Sequence, residues 1–340
     1  MTADTASTLS TGNQRASWQG LPTELRTWVE QTMGDTVTTA ISQSGGYSLG
    51  TADRLIFSSG KRAFLKAVDE STHPDTADLH RQEARVTSSF PAYAPVPLLL
   101  ANQEISATDG SHWVALLLED IEGHQPAHPW KLDELASTFQ SLTDIGQIPL
   151  AKHLELPRAE EDLDELALWH KLAEGIRVEK LIHASQTSAY HKLVGLLSWA
   201  NSHAAEYATL VDQELMSRLA GDSYVHTDLR ADNILIGPQG RAILVDWPWA
   251  TVGNNQVDLA LIAVDALIAD PELSLSQLLE LMPAHNRPSE DFLRATLISL
   301  AGYYLYASTA TPSRSTNSSL VSMRAHRASA LLGRLALDHT

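Results

Sequence analysis

One polar string holds the residues best suited to catalysis. It reads HTDLRADN from His226 to Asn233, and Asp246 follows it after two apolar runs. Transfer of a phosphoryl group from ATP needs a carboxylate that orients or deprotonates the attacking hydroxyl, and oxygen ligands for Mg²⁺. The spacing therefore predicts Asp228 as the base and Asn233 and Asp246 as the magnesium ligands. An ordinary polar turn before a hairpin is the alternative, but the whole string is far more specific than His-x-Asp alone.

These residues resemble the catalytic string of the aminoglycoside phosphotransferase and choline kinase family, small-molecule relatives of the protein kinases. The family's string ends in the same D-x-x-x-x-N, and the run ILVDW matches its second metal-binding aspartate; HTDLRADN and VDWP are similar to actinobacterial members. The resemblance covers roughly residues 35 to 310. It implies an α+β, bilobal protein-kinase-like fold, in which an antiparallel-sheet N-lobe with one helix precedes a mainly helical C-lobe. It also implies ATP and Mg²⁺ as cofactors.

A glycine-rich segment lies between the first two predicted strands and includes Gly45, Gly46, Tyr47, Ser48 and Gly50. Glycines let backbone N–H groups approach phosphate oxygens, because no side chain intervenes. Taken alone the segment is only a hairpin turn, and it matches neither the P-loop nor the Rossmann fingerprint. Its position resembles the family's loop over the ATP phosphates, which implies that these five residues bind the nucleotide.

Lys66 lies in the apolar strand AFLKAV, where a charged side chain is unusual and suggests a specific role. The family places a lysine of the third strand on the α- and β-phosphates of ATP and holds it with a helix glutamate, which implies Glu83 as the partner. Glu70 is a nearer partner in sequence, and a solvent-facing lysine is the structural alternative. Glu119 resembles part of the hinge whose backbone binds the adenine edge, unless the strand simply ends there.

Other polar residues are implied to support the catalytic string. Asp258 resembles the family's buried aspartate at a helix start, which braces the catalytic loop through backbone N–H groups and would stabilise the helix in any case. His226 is expected to pack and hydrogen-bond the loop rather than act as an acid or base. Arg230 either contacts the γ-phosphate or lies on the loop surface. The acidic stretch 160–165 either lines a site for a cationic substrate or, as is commoner, forms a solvated helix face.

Departures from the protein kinases indicate a small-molecule substrate. Thr227 replaces the arginine with which protein kinases bind an activation-loop phosphate, and Asp246-Trp247-Pro248 replaces D-F-G. Too few residues separate Asp246 from Asp258 for an activation segment. A protein substrate is therefore disfavoured.

Hydrophobic periodicity predicts the elements that position these residues. Residues 21–33 have helical spacing, and residues 36–120 follow the order strand, strand, strand, helix, strand, strand, which favours an antiparallel sheet over βαβ units. Helical periodicity then dominates and includes 161–175. It is interrupted by residues 223–247, where two apolar runs flank Pro238-Gln239-Gly240, a hairpin signal.

The same pattern divides the chain into three parts. Residues 1–16 are rich in Ser, Thr and Ala and are predicted to be a disordered tail. Residues 17–120 are predicted to form an N-terminal nucleotide-binding lobe. Residues 121–340 are predicted to form a helical C-terminal lobe with the catalytic loop and the acceptor site.

Composition excludes several other classes of protein. The chain has 340 residues, of which 44% are hydrophobic, enough for a sizeable core. Its 24 Lys and Arg against 41 Asp and Glu give a net charge of −17, which disfavours nucleic acid as a partner. The absence of cysteine excludes disulfides, Cys-ligated zinc and thiol catalysis. With no secretory signal and no apolar run near ~20 residues, a cytoplasmic protein without a membrane partner is expected.

Together these features predict an enzyme, an ATP-dependent phosphotransferase that acts on a hydroxyl group of a small molecule. The acceptor could be an aminoglycoside or another antibiotic, an amino alcohol, a sugar or an amino sugar. The sequence does not choose among them, because the divergent helical part builds the acceptor pocket. The alternative from another class is a nucleotide-binding module without turnover, against which the intact Lys66, Asp228, Asn233 and Asp246 argue.

Overall fold

The computed structural model describes residues 17–43, 50–175, 188–309 and 318–337, so the predicted tail 1–16 lies outside the described residues. The chain divides into two compact units. The first comprises Met1–Ser88 and Pro97–Ile121, and the second comprises Ser89–Val96 and Glu122–Thr340. Residues 89–96, within the range predicted for the N-lobe, thus belong to the second unit.

The first unit is built on a five-stranded antiparallel sheet with the strand order β1-β2-β3-β5-β4. Alternate residues of β2 and β3 are buried, as expected for strands whose side chains point to opposite faces of a sheet. The strands are β1 (Val37–Ser42), β2 (Thr51–Phe57), β3 (Arg62–Asp69), β4 (Leu99–Ser106) and β5 (His112–Leu118).

Two helices of this unit pack against the sheet. Helix α1 (Thr23–Met33) buries Leu25 and Val29, one turn apart, in a cluster with Leu65 and other sheet residues. It ends at Gly34, whose left-handed φ of 63° suits glycine. Helix α2 (Pro74–Ser89) lies between β3 and β4 in sequence and joins a second cluster that includes Val68 of β3. The predicted order of strands and helix is confirmed.

The second unit is mainly helical. Its helices are α3 (Leu132–Gly146), α4 (Ala159–Asp162), α5 (Trp169–Ala173), α6 (Ser188–Glu214), α7 (Gln256–Ala269), α8 (Leu275–Leu281), α9 (Glu290–Thr309) and α10 (Ser318–Leu337). Helix α7 is almost entirely apolar and buried, which makes it a central element of the core. Within the described ranges, no helix is both long and apolar enough to cross a membrane.

Two small antiparallel sheets interrupt these helices. Strands β7 (Ile234–Ile236) and β8 (Ala242–Leu244) form the predicted hairpin, with Ile234 opposite Leu244. Strand β6 (Ser223–Val225) pairs with β9 (Thr251–Gly253), which was not predicted. Both sheets flank the polar string, because β6 ends immediately before His226 and β7 begins immediately after Asn233.

The helix predicted over 161–175 is wrong, because the chain breaks there into pieces. Helix α4 ends at Asp162, a 3₁₀ turn covers Asp164–Ala167, and α5 follows. Buried apolar side chains recur every third residue at Leu163, Leu166, Trp169 and Leu172, and Leu168 is buried beside them. A 3₁₀ helix has three residues per turn and keeps such residues on one side, whereas an α-helix with 3.6 would spread them.

Candidate active site

The polar string begins at a backbone segment that Asp258 holds. The N–H groups of His226 and Thr227 donate to the two carboxylate oxygens of Asp258, at 2.7 and 3.2 Å. Asp258 lies in the first turn of α7 and is buried. Burial raises the pKa of this carboxyl to about 7, and the two N–H groups oppose that rise. One carboxylate of the central helix thus fixes the start of the string.

The ring of His226 is buried and connects the string to Val245, the residue after β8. Its Nε2 lies 2.9 Å from the carbonyl oxygen of Val245. A carbonyl only accepts, so this geometry assigns the proton to Nε2. The ring also contacts Trp247, with centroids 4.6 Å apart. Burial lowers the pKa of His226 to about 4, so the imidazole is neutral at pH 7 and well placed to hold the loop.

Asp228 presents a carboxylate that remains accessible, with 36% of its side chain exposed. Its Oδ1 forms an ion pair with Arg230. The amide nitrogen of Asn233 donates to the carbonyl oxygen of Asp228 at 2.8 Å and lies 3.4 Å from its Oδ2. Burial raises the pKa of Asp228, the charge of Arg230 lowers it, and the carboxylates of Asp246 and Asp232 raise it further. Asp228 and Asp246 therefore lie close enough for their charges to interact.

Asn233 is buried at the end of a 3₁₀ turn, Ala231–Asn233. Its N–H donates to the carbonyl of Arg230 at 2.9 Å, and its carbonyl accepts from the N–H of Val245 at 3.0 Å. These bonds fix its backbone beside the residue that precedes Asp246. Because the amide nitrogen bonds Asp228, the amide oxygen is the atom suited to binding a cation.

Asp246 follows β8 and is half-buried, with a left-handed φ of 69°. Aspartate tolerates this conformation better than most residues. Within the described part of the chain, no group of three or more His, Asp or Glu side chains could hold a metal ion alone. Mg²⁺ is usually bound by one or two carboxylates together with substrate phosphates and waters. One aspartate and one asparagine oxygen thus fit a magnesium ion that arrives with a nucleotide.

Arg230 lies between two carboxylates of the string. Its Nε and Nη2 bond Asp232 at 3.0 and 3.2 Å, and its Nη1 bonds Asp228. The side chain is 27% exposed, so it is not a free surface arginine.

In the first unit, Lys66 pairs with Glu83. The Lys66 ammonium lies 2.7 Å from both Glu83 oxygens, and Glu83 is only 2% exposed. Glu70, the other partner considered, instead bonds Arg81 at 2.8 Å. A buried carboxylate of α2 thus fixes the direction of a lysine on β3.

Gly50 is the described member of the predicted glycine-rich loop. It has a φ of 115°, and a Cβ at this position would lie 2.6 Å from the carbonyl oxygen of Ala67. Only glycine fits where the residue before β2 approaches β3 this closely. The other candidates of the loop, Gly45, Gly46, Tyr47 and Ser48, lie outside the described residues.

Glu119 follows β5, and its N–H is already used. It donates to the carbonyl of Leu98 at 2.8 Å, while the Glu119 carboxylate accepts from the N–H of Leu98 at 3.2 Å. The side chain of the neighbouring Asp120 is buried and forms ion pairs with Arg54 and Arg62, at 3.3 and 2.6 Å. Hydrogen bonds and ion pairs therefore hold the end of β5.

Sequence reasoning left out one residue near Asp228 and undervalued another. The pKa values of Glu165 and Tyr303 are raised by desolvation first, and the charge of Asp228 contributes to both rises. The 3₁₀ turn that carries Glu165 is held on α9, the helix of Tyr303, because Ser299 donates to the carbonyl of Leu166 at 2.6 Å. This contact joins parts of the chain that are far apart in sequence, so no local sequence pattern could predict it.

A family model described as the phosphotransferase enzyme family matches residues 47–291. A comparison with curated proteins finds no match. Among solved structures, spectinomycin phosphotransferase APH(9)-Ia in complex with ADP and spectinomycin has 13% identity and a TM-score of 0.56, with 94% of this chain and 99% of that chain covered.

Two further structures show the same likeness. A thermostable mutant of aminoglycoside phosphotransferase APH(4)-Ia, in a ternary complex with AMP-PNP and hygromycin B, has 14% identity and a TM-score of 0.54, with 92% of this chain and 99% of that chain covered. An aminoglycoside phosphotransferase from Alicyclobacillus acidocaldarius has 16% identity and a TM-score of 0.51, with 89% and 93% covered. At such identities the likeness shows a shared fold, which confirms the predicted α+β, kinase-like class.

Proposed function

The chain belongs to the phosphotransferase enzyme family, and on this premise we propose that it transfers the γ-phosphoryl group of ATP to a hydroxyl group of a small molecule. The predicted enzyme class, a phosphotransferase, is confirmed by the family. The observation that carries the more detailed proposal is the accessible carboxylate of Asp228, on a loop that Asp258 and Asn233 hold in place.

Asp228 is proposed as the catalytic base. Its carboxylate accepts the proton of the acceptor hydroxyl as the oxygen attacks the γ-phosphorus atom. The bond between the γ-phosphorus and the bridging oxygen breaks, and ADP leaves with the electron pair. Asn233 helps by holding the backbone of Asp228, and Arg230 helps by keeping the carboxylate ionised through its positive charge.

Asn233 and Asp246 are proposed to hold Mg²⁺ through the amide oxygen of the first and the carboxylate of the second. When bound with ATP, the ion supplies positive charge that neutralises the phosphate oxygens. The donor set supports this role, because hard oxygen ligands are the ones that Mg²⁺ prefers. Asp246 is also kept in place by its neighbour Val245, whose N–H bonds Asn233 and whose carbonyl bonds His226.

The first unit is proposed to bind the rest of the nucleotide. Lys66, oriented by Glu83, would bind the α- and β-phosphates, and the glycine-rich loop with Gly45, Gly46, Tyr47, Ser48 and Gly50 would cover them. The ion pair supports this role of Lys66, since a lysine fixed at 2.7 Å by a buried carboxylate has a defined direction. At the hinge, the carbonyl of Glu119 would accept from the adenine amino group, because its N–H is bonded to Leu98.

The acceptor is proposed to bind beside Glu165 and Tyr303. Burial raises the pKa of both, and the charge of Asp228 adds to each rise, so both side chains lie near the base that the acceptor must reach. The carboxylates of Asp162 and Asp164 also act on Glu165, and with Asp228 they outnumber the one opposing cation, Arg324, which makes the local field negative. This field favours acceptors that carry an amine, such as an aminoglycoside, an amino sugar or an amino alcohol, over a neutral sugar.

An ATP-consumption screen tests the proposal, with aminoglycosides, choline-like amines, amino sugars and neutral sugars as acceptors and Mg²⁺ present. The acceptor found is then used with Asp228→Asn, which keeps the size of the side chain and removes its basicity. Turnover should fall by ~10²–10⁴-fold, the usual contribution of a positioned general base. Nucleotide affinity, measured by titration, should hardly change.

The matched control is Asp222→Asn, the same change at a carboxylate whose side chain is 94% exposed. It should transfer phosphate like the wild type. Wild-type turnover by Asp228→Asn would remove Asp228 from the base role. Nucleotide binding without transfer to any acceptor would instead favour the non-catalytic alternative.

A further inference from the structure

Thr227, the residue before the proposed base, has an unusual backbone conformation. Its φ is 64°, in the left-handed region, which a β-branched residue rarely adopts. The N–H of Asp228 donates to the carbonyl of His226 at 2.9 Å, and this bond closes a γ-turn around Thr227. A γ-turn with positive φ is rare and strained. The turn sets the direction in which the chain enters Asp228.

Such strain persists only where surrounding contacts determine the conformation. One contact is the N–H of Thr227, which donates to Asp258 at 3.2 Å. Another is the Thr227 hydroxyl, which donates to the carbonyl oxygen of Trp249 at 2.8 Å. Glycine would adopt this φ without strain but would lack the hydroxyl. The hydroxyl is therefore the feature that threonine offers and glycine does not.

The hydroxyl bond connects the two segments that carry the proposed catalytic groups. Trp249 lies three residues after Asp246, and 53% of the residue is exposed, so its indole is not anchored in the core. The carbonyl of Trp249 is held by Thr227 instead. Asp228 is the residue directly after Thr227. One hydrogen bond thus links the base and the segment that leaves the metal-binding aspartate.

We propose that Thr227 is a positioning residue, whose hydroxyl bond to the Trp249 carbonyl holds the γ-turn and thereby aims Asp228 at the acceptor hydroxyl. The proposal rests on the proposed function, since the orientation of Asp228 matters for turnover only if Asp228 is the base. Thr227 contacts neither ATP nor the acceptor in this scheme. Its effect passes through the two backbone segments that it joins.

Three substitutions at Thr227 separate the effect of the hydroxyl from the effect of the backbone strain. Thr227→Ser keeps the hydroxyl, Thr227→Val keeps the branched shape without it, and Thr227→Gly removes both the hydroxyl and the strain. With the acceptor from the screen, Thr227→Ser should keep kcat within about threefold of the wild type. Thr227→Val and Thr227→Gly should lose about tenfold or more in kcat, because small misplacements of a catalytic group are costly. The KM for ATP should change less than about twofold in all three.

Thr227→Gly gives the sharpest result. Because glycine suits a positive φ, this variant should melt no lower than Thr227→Val and still be slow. A fully active Thr227→Gly enzyme would overturn the proposal, since the hydroxyl would then be dispensable. Loss of kcat in Thr227→Ser equal to that in Thr227→Val would overturn it as well.

A second measurement needs no acceptor. The protein is labelled with 5-fluorotryptophan, and the ¹⁹F NMR signal of Trp249 is assigned with Trp249→Phe. The signal should shift or broaden in Thr227→Val and Thr227→Gly and stay in place in Thr227→Ser. An unmoved signal in all three variants would overturn the hydroxyl link. A moved signal in a protein that transfers phosphate to no acceptor would support the link and contradict the proposed function instead.

Discussion

The protonation of Asp228 depends on two opposing influences. Burial raises its pKa, which would leave the carboxyl protonated over a wider range of pH, and the guanidinium of Arg230 lowers it. A base must be ionised to accept a proton, so Arg230 extends the active range toward acid. This interpretation gives Arg230 a role that needs no contact with the γ-phosphate.

Arg230→Met should therefore shift the acid limb of the pH–rate profile to higher pH. Without the positive charge the pKa of Asp228 rises, and more of the enzyme is protonated and inactive at any mildly acid pH. The measurement is turnover against pH with saturating substrates. Arg230→Lys retains a charge and should shift the limb less. An acid limb at the same pH in wild type and Arg230→Met would contradict this role of Arg230.

Among the elements, α7 supplies Asp258, which accepts hydrogen bonds from the start of the polar string. A buried carboxylate that accepts two backbone N–H groups replaces the water that those groups lose on folding. The helix therefore fixes the position of the start of the string, while the β7–β8 hairpin brings Asp246 back toward the string.

Asp258→Asn should destabilise the protein by about 1–3 kcal/mol. Asparagine offers one acceptor oxygen where the carboxylate offers two, so one buried N–H group is left without a partner. Chemical denaturation measures the loss in the free energy of unfolding. The exposed Asp222→Asn change serves as the control and should alter stability by less than about 0.5 kcal/mol. Equal stabilities of the two variants would show that Asp258 does not brace the loop.

The sequence predicts elements well where one local pattern decides. The order of strands and helix in the first unit and the Pro238-Gln239-Gly240 hairpin signal rest on local patterns, and both predictions are confirmed. Strand β9 was missed because three residues are too short for a pattern and pair with β6, far back in sequence. The 161–175 helix was wrong because contacts with α9 override local propensity there.

Site residues, like the helices and strands, can be predicted from sequence where a local pattern decides. The polar string predicts Asp228, Asn233 and Asp246 as a group because a loop and one hairpin bring them together. Sequence could not choose between Glu70 and Glu83 for Lys66, since the choice depends on how α2 packs on the sheet. The proximity of Tyr303 to Asp228 depends on tertiary contacts alone.

For the whole molecule, the net charge of −17 opposes the approach of ATP, itself an anion. Binding must then rely on local cations, of which Lys66 and a metal ion are the proposed ones. At physiological salt the long-range repulsion is largely screened, whereas local contacts are not. The metal should accordingly contribute strongly to nucleotide affinity.

ATP should raise the melting temperature much more with Mg²⁺ or Mn²⁺ than with a chelator. A ligand at 100 times its Kd stabilises a protein by ~2.7 kcal/mol, a shift that a melting curve detects. Asp246→Ala should remove the metal-dependent part, and Asp222→Ala should keep it. Full metal-dependent stabilisation in Asp246→Ala would exclude Asp246 as a metal ligand.

Gly50 has a consequence for any library built on this chain. Gly50 and Gly60 both have positive φ, at 115° and 85°, but the space around Gly60 is open while Gly50 faces the Ala67 carbonyl. Saturation mutagenesis should find position 60 tolerant of asparagine, which accepts a left-handed backbone. Position 50 should reject every side chain, including alanine. Variants for a new acceptor can thus be sought with position 60 varied and position 50 left as glycine.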